Sequence, residues 1–302
     1  MKDKISIVAM SSISALGNEK GEIWQNYQKQ SSLIKEESFG KFRALVSSIK
    51  SDHLNAIEEL RKVKNYKDLD PSVLMAVVTG RKAFDQTDWN HRDFGINIGS
   101  SRGATTLFEK YHQEFLEQDK GQVSTLSSPT TTLGNLSSWV GHDLQSKGPV
   151  IRHSIACSTA LHGLLNGIAW INSGMSERFM VGGSEASNTA FTLAQLKSLK
   201  IYAEQNSDYP CRSLDMDKTR NTMVLGEAAA VFCLEKGPVK KALAIVEGIG
   251  YATEPLLHNI SISADADCFQ TSMSMALKGI EKDEVDVIVT HAPGTVKGDR
   301  SE

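Results

Sequence analysis

Residues 150–174 read VIRHSIACSTALHGLLNGIAWINSG. A short apolar run of Val150, Ile151 and Ile155 leads to Cys157, and a turn of small residues then opens an amphipathic pattern. Leu161, Leu164, Leu165, Ile168 and Ile171 recur at helical spacing, with Gly174 placed to cap the C-terminus. The expected order is therefore strand, cysteine, helix. It sets the Cys157 sulfur beside backbone N–H groups at a helix N-terminus, where the dipole favours the thiolate, the nucleophilic form. On these residues alone the alternative stays open that Cys157 is a small buried hydrophobe.

Composition narrows the field. The chain has 302 residues, 40% hydrophobic and 23% charged, which suits one large or two medium domains with a proper core. A net charge of −3 gives no reason to expect nucleic acid or an anionic membrane as partner. The start, MKDKISIVAMSSISALG, is broken by serines and reads as a first strand, not a signal peptide. No apolar run approaches the ~18 residues of a membrane span. Cys157, Cys211, Cys233 and Cys268 lie far apart with no metal-ligand spacing. That argues against a zinc site or a disulfide framework and fits a reducing cytoplasm.

Working outward, strands are expected at Lys4–Met10, Phe94–Ile98, Arg178–Val181, Thr222–Glu235, Leu243–Ile249 and Val285–Thr290. Helices are expected at Thr105–Leu116, Leu133–Leu144, after Cys157, at Phe191–Leu199 and at Cys268–Gly279. Residues 22–85 read as mostly polar with helical faces, Ser127–Thr132 as a turn and Tyr209–Asn221 as an irregular loop. Strands alternate with helices, which implies α/β layering on a buried mixed or parallel sheet. The GSSRGATT stretch after Phe94–Ile98 is not a dinucleotide or phosphate-loop fingerprint.

His291 closes the apolar run EVDVIVT and precedes a turn of Ala292, Pro293 and Gly294. Ligands of α/β sheets bind beyond the carboxyl ends of strands, so Cys157 and His291 would each stand at such an end. They are separated by 134 positions (291 − 157), and only the fold can join them. A Cys/His pair there could transfer an acyl group through a thioester, with cysteine attacking and histidine polarising or moving protons. The alternative for His291 is a hydrogen-bonded turn residue. A cysteine hydrolase is a further reading of the same pair, although no Asn or Asp stands in an evident place to orient His291.

The chain resembles the β-ketoacyl-acyl carrier protein synthases, condensing enzymes of the thiolase superfamily. IACSTALHG around Cys157, VGGSEA around Glu185, VLGEAAAVFCLE around Glu227 and THAPGTVKGDRSE at 290–302 carry the resemblance, with SISALG at 12–17 and PTTTLGNLSSWVG at 129–141. The resemblance implies a thiolase-like α/β fold of layered helices and mixed sheets, with a first half over residues 1–238 and the beginning of a second over 239–302. It implies that Cys157 takes an acyl chain from the phosphopantetheine arm of an acyl carrier protein and condenses it with a malonyl group, His291 stabilising the enolate. Glu185 and Glu227 match structural positions of the family. No cofactor is implied. A homodimer, or a heterodimer with another ketosynthase-like subunit, is expected.

Departures from the family pattern are also present. The lysine-bearing helix, the second histidine and the Gly-rich loop that normally follow the first histidine motif are not found before Glu302. Ser213, Leu214 and Thr222 stand where Pro, Phe and Gly are usual, and Ala228 where Gly is usual. A divergent branch serving a polyene or polyketide pathway is one implication. A non-catalytic partner subunit of the chain-length-factor type is the alternative.

Overall fold

A computed structural model describes residues 4–118, 121–132, 135–204, 207–255 and 265–302. The first half of the chain supplies β1 (Ile5–Ser14), α1 (Lys20–Gln28), β2 (Lys35–Phe39), β3 (Phe42–Ser47), α2 (Ser51–Arg61), α3 (Pro71–Phe84), β4 (Gly95–Gly99), α4 (Thr105–Glu117), α5 (Ser127–Thr131) and α6 (Asn135–Asp143). The rest supplies α7 (Thr159–Asn172), β5 (Arg178–Glu185), α8 (Ala190–Ser198), β6 (Leu225–Gly226), β7 (Ala228–Lys236), β8 (Ala244–Val246), α9 (Asp267–Ala276) and α10 (Val296–Ser301).

The main sheet has the order β4-β5-β7-β1-β8 and is mixed: β4 runs parallel to β5, and the other pairings are antiparallel. β1 pairs with β7 from Ile5 opposite Lys236 to Ser14 opposite Ala228, with a bulge between Ile7 and Ala9. Helix α3 packs on one face of this sheet. It opens on Asp70, whose carboxylate accepts the Ser72 N–H at 2.9 Å, with Pro71 in the first turn. Val73, Leu74, Ala76 and Val77 are fully buried, because α3 lies between the sheet and the helices α2 and α6. Helix α7 covers the other face, burying Ile168 and Ile171 against Ile5, Phe179, Val181 and Leu234.

Two glycines let α7 lie this close. A Cβ at Gly163 would stand 2.8 Å from the Asn97 carbonyl oxygen and 3.3 Å from that of Gly182. One at Gly167 would stand 2.6 Å from Val181 Cγ1. The strand backbone cannot yield as a flexible side chain would. Gly163→Ala is therefore expected to cost about 1–3 kcal/mol by overpacking, read as a lower urea midpoint at unchanged m-value.

Several expectations change. Residues 35–47 form a β-hairpin, β2–β3, turning at Gly40 with φ +68°; β3 also pairs parallel with β6. The charged KEESF of β2 hides this edge strand behind a polar composition. Residues 127–131 are a short helix, not a turn. The Thr222–Glu235 strand is divided into β6 and β7. The helix expected over Leu133–Leu144 occupies Asn135–Asp143, and Leu133 falls outside the described residues. The run before Cys157 makes only isolated bridges, Val150 to Ile96 and Ile155 to Cys157, and no strand.

Among the described residues, 285–290 pair with no strand. Val287, Ile288 and Val289 are 76%, 72% and 92% exposed, and Leu161 on α7 is 70% exposed. The leucine stripe of α7 is therefore buried only at its Ile168–Ile171 end.

Candidate active site

The two parallel strands set the site. Beyond the carboxyl ends of β4 and β5, the first turn of α7 rests on glycines of both strands. A Cβ at Gly99 would lie 2.3 Å from Thr159 Cγ2, and one at Gly183 2.9 Å from the Ala160 Cβ. Cys157 sits on the turn just ahead of α7 and is an exposed residue.

That turn is wound tightly around Thr159, which is 3% exposed. The Thr159 hydroxyl donates to the Ala156 carbonyl at 2.7 Å and accepts the Ile155 N–H at 2.8 Å. The N–H groups of Ser158 and Thr159 donate to the carbonyls of Ile155 and Ala156 at 3.1 and 3.2 Å. Ala156 is held at φ +41°, a left-handed conformation that a residue with a Cβ adopts only under constraint. His153 braces the turn: it faces Asn97 Nδ2 through Nδ1 at 2.9 Å and the Thr159 carbonyl through Nε2 at 2.9 Å. These partners assign Nδ1 as acceptor and Nε2–H as donor, so both ring nitrogens of His153 are engaged in supporting the turn.

His291 is held from its other side. Its backbone N–H and that of Ala292 both donate to the Glu302 carboxylate, and Ala292 takes φ +28°. Asp299, fully buried on α10, accepts the N–H groups of Gly294 and Thr295 at 3.0 and 3.2 Å. It also accepts the Leu214 N–H at 2.8 Å and the Lys218 ammonium at 2.7 Å. Thr222 adds two donors to the Gly294 carbonyl, its N–H at 2.8 Å and its hydroxyl at 2.9 Å. The irregular loop 211–223 thus clamps the histidine turn. Thr222, which departs from the family pattern, is one of the clamping residues.

Across this arrangement the fold brings the Cys157 thiol and the His291 imidazole within interaction range, hydrogen bonding being the chief effect of each on the other. That bond to His291 holds the Cys157 thiol below its usual range, against the opposing effect of burial. The same bond holds the His291 imidazole above its usual range, again against burial, with the charges of Glu302 and Asp299 in support. The contact favours a thiolate–imidazolium pair. Burial pushes Cys233 and Cys268 upward instead, which separates the buried-hydrophobe role from the one at Cys157.

The other sequence candidates fall outside this contact. Glu185, at the end of β5, accepts from the Ser100 hydroxyl at 3.0 Å and the Ser101 N–H at 2.7 Å, so it ties together the loops after β4 and β5. Burial raises both Glu185 and Glu227 above the usual carboxylate range. Among the described residues no group of three or more His, Cys, Asp or Glu side chains is placed to hold a metal ion.

Residues 2–238 match the family described as Beta-ketoacyl synthase, N-terminal domain. The chain belongs to the β-ketoacyl synthase family. It is 26% identical over 324 residues to 3-oxoacyl-[acyl-carrier-protein] synthase 2 of Vibrio cholerae, covering 100% of this chain and 76% of the relative. Against the chloroplastic 3-oxoacyl-[acyl-carrier-protein] synthase I of Arabidopsis thaliana it is 26% identical over 258 residues, 79% of this chain and 54% of that one. Among solved structures, the ishigamide ketosynthase/chain length factor superposes with a TM-score of 0.84 at 20% identity, over 100% of this chain and 76% of that chain. The ketosynthase ApeO in complex with its chain length factor ApeC from Xenorhabdus doucetiae gives 0.81 at 21% identity, over 99% and 74%. At such identities the structural likeness speaks for the fold, which is that of the ketosynthases. β-Ketoacyl synthases are acyltransferase-type condensing enzymes.

The structure brings together Cys157 and His291, the two residues singled out in the sequence, but the groups that hold them gave no such signal. Lys218 and Asp299 are 81 positions apart, and no spacing rule links them. Thr159 and Glu302 lie within the quoted motifs, but nothing in those motifs assigns them a supporting role. The GDRSE run beyond His291 was the one available hint that acidic residues lie one helical turn from the histidine loop.

Proposed function

We propose that this chain forms an acyl thioester on Cys157 and condenses it with malonyl-acyl carrier protein. The observation that carries this reading is that the fold brings Cys157 and His291, 134 positions apart (291 − 157), within range for the imidazole to hold the thiol below its usual range. The Cys157 thiolate attacks the thioester carbonyl of an acyl group on a carrier protein's phosphopantetheine arm. A new S–C bond forms, and the carrier sulfur leaves as a thiol after taking a proton. Malonyl-carrier protein then loses carbon dioxide, and the electron pair of the broken C–C bond becomes an enolate whose oxygen His291 stabilises. The enolate carbon attacks the acyl-Cys157 carbonyl, expels the Cys157 thiolate and leaves a β-ketoacyl group on the carrier. The pathway class is fatty-acid, polyene or polyketide synthesis. Residues 1–238 form the first half of the synthase fold in this reading, and residues from 239 begin the second.

Acyl carrier protein and a second ketosynthase-like subunit are the partners this reading requires. The ApeO–ApeC and ishigamide structures, which pair a ketosynthase with a chain length factor, support a heterodimer. They also give weight to a non-catalytic chain-length-factor role, against which the Cys157–His291 contact stands. Among the described residues no helix is long and apolar enough to cross a membrane, and all four cysteines are free, which supports action in a reducing cytoplasm.

Intact-protein mass after incubation with acyl-carrier protein decides between the two roles. A gain equal to the acyl group, absent in Cys157→Ser, is expected. A folded protein that never gains that mass would refute the thioester step and favour the partner role.

A further inference from the structure

A chain of hydrogen bonds with fixed directions ties the turn of Cys157 to the sheet. Two backbone carbonyls, which can only accept, mark its ends. At one end Asn97 Nδ2, fully buried on β4, donates to the Ile151 carbonyl at 3.3 Å. That settles the amide: Oδ1 accepts from Asn166 Nδ2 of α7 at 2.8 Å, and the second Nδ2 hydrogen faces His153 Nδ1 at 2.9 Å. Nδ1 therefore keeps its lone pair. The ring carries its hydrogen on Nε2, which donates to the other carbonyl, that of Thr159, at 2.9 Å. Among the described residues no charged side chain pairs with the ring, so neutral partners alone set this arrangement. Ring and threonine are also packed on Gly99, where a Cβ would stand 3.4 Å from His153 Cε1 and 2.3 Å from Thr159 Cγ2. Thr159 is where the chain of bonds meets the nucleophile. Its hydroxyl holds the Ala156 carbonyl and the Ile155 N–H, and with them the left-handed Ala156 next to Cys157. Such strain persists only where the surroundings over-determine it. His153 lies just ahead of the IACSTALHG motif and outside it.

We propose that His153 is a positioning residue for acylation: its Nε2–H, aimed by Asn97 and Asn166, anchors the Thr159 carbonyl and keeps the Cys157 sulfur in reach of His291. The proposal rests on Cys157 being the acylated nucleophile. His153 acts through Thr159 and carries no proton in the reaction. A misplacement of about 1 Å caused outside the chemistry can cost about a hundredfold in rate, and the loss of one anchor among several should cost less.

Two amides separate the roles of the two ring nitrogens. A glutamine amide reaches about as far as Nε2 and can keep the donor to Thr159, whereas an asparagine amide reaches only to the place of Nδ1 and can keep the Asn97 contact alone. On the full chain, uptake of an acyl group from acyl-carrier protein is timed by intact mass, and the pH profile of Cys157 alkylation by iodoacetamide is recorded. His153→Asn should slow acylation about tenfold and move the alkylation inflection towards that of an ordinary cysteine. His153→Gln should recover most of both. An unchanged acylation rate and an unmoved inflection in a folded His153→Asn protein overturn the proposal. An equal loss in both variants also overturns it, because the role would then belong to ring packing and not to the Nε2–H donor. If His153→Asn does not fold, the wild-type ring decides. Its nitrogen chemical shifts, assigned by the signals lost in His153→Gln, should show the hydrogen on Nε2, and a hydrogen on Nδ1 is fatal. A folded wild-type chain that never takes up an acyl group refutes instead the thioester reading, and this proposal with it.

Discussion

Replacing His291 with alanine is expected to move the alkylation profile of Cys157 to higher pH and to abolish condensation. In the wild-type chain the thiolate is present below the ordinary cysteine pKa of about 8.5, because His291 holds the proton that the sulfur gives up. Iodoacetamide should therefore react with Cys157 along a pH profile whose inflection lies below that of an ordinary cysteine. Without the imidazole, the effect of burial loses its strongest opponent, and the thiol titrates upward. Each unit of that shift removes about tenfold of thiolate at neutral pH, offset in part because a more basic thiolate is the better nucleophile. A net fall of up to about tenfold at pH 7, recovering at higher pH, is the expected signature.

Condensation should suffer more. The imidazole meets two demands, thiolate formation and enolate stabilisation, and general acid–base or electrostatic groups each contribute about 10²–10⁴-fold. The discriminating measurement is the pH profile: a merely structural histidine would leave its inflection in place. An unmoved inflection in a folded His291→Ala chain would show that the contact does not set the Cys157 charge.

Much of this arrangement was legible in the chain, for reasons that particular residues make plain. The α7 pattern fixed a helix after Cys157, since Ile168 and Ile171 need one apolar face and Gly163 and Gly167 need close backbone. Strand β7 announced itself through small and β-branched residues, because it is buried between β5 and β1. Where sequence failed, the energy lay outside local pattern. KEESF becomes a strand only because FRALVS offers a partner, and β-structure depends on that context more than on intrinsic preference. EVDVIVT has every local mark of a strand, yet among the described residues nothing pairs with it. Propensity proposes a strand, and only a neighbouring backbone makes one. The site divides the same way: its reactive groups are chemically conspicuous, whereas its supports are ordinary residues, made important by where the chain folds.

The support that matters most is Asp299. Its carboxylate is fully buried and gathers three backbone N–H groups and the Lys218 ammonium, whose own side chain is 2% exposed. Burial works against the charge, but the Lys218 bond and these backbone donors outweigh it and hold Asp299 below the usual carboxylate range. Asp299→Ala would strand one buried cation and three buried donors at once, and breaking a buried pair from one side costs about 3–5 kcal/mol. Lys218→Met should cost less, because the carboxylate keeps its backbone donors and can take up a proton. The sign of the pH dependence follows from the depressed value. Asp299's contribution is fully present above the unfolded aspartate pKa of about 3.9 and is lost as pH falls through its lower folded value. Urea unfolding between pH 7 and pH 3 should therefore show a stability gap between wild type and Asp299→Ala that narrows on acidification. Because Gly294 and Thr295 hang on this carboxylate directly after His291, Lys218→Met should also slow Cys157 alkylation at pH 7 while the protein remains folded. A variant that lost stability with an unchanged alkylation profile would separate the buried pair from the histidine and confine it to holding the loop.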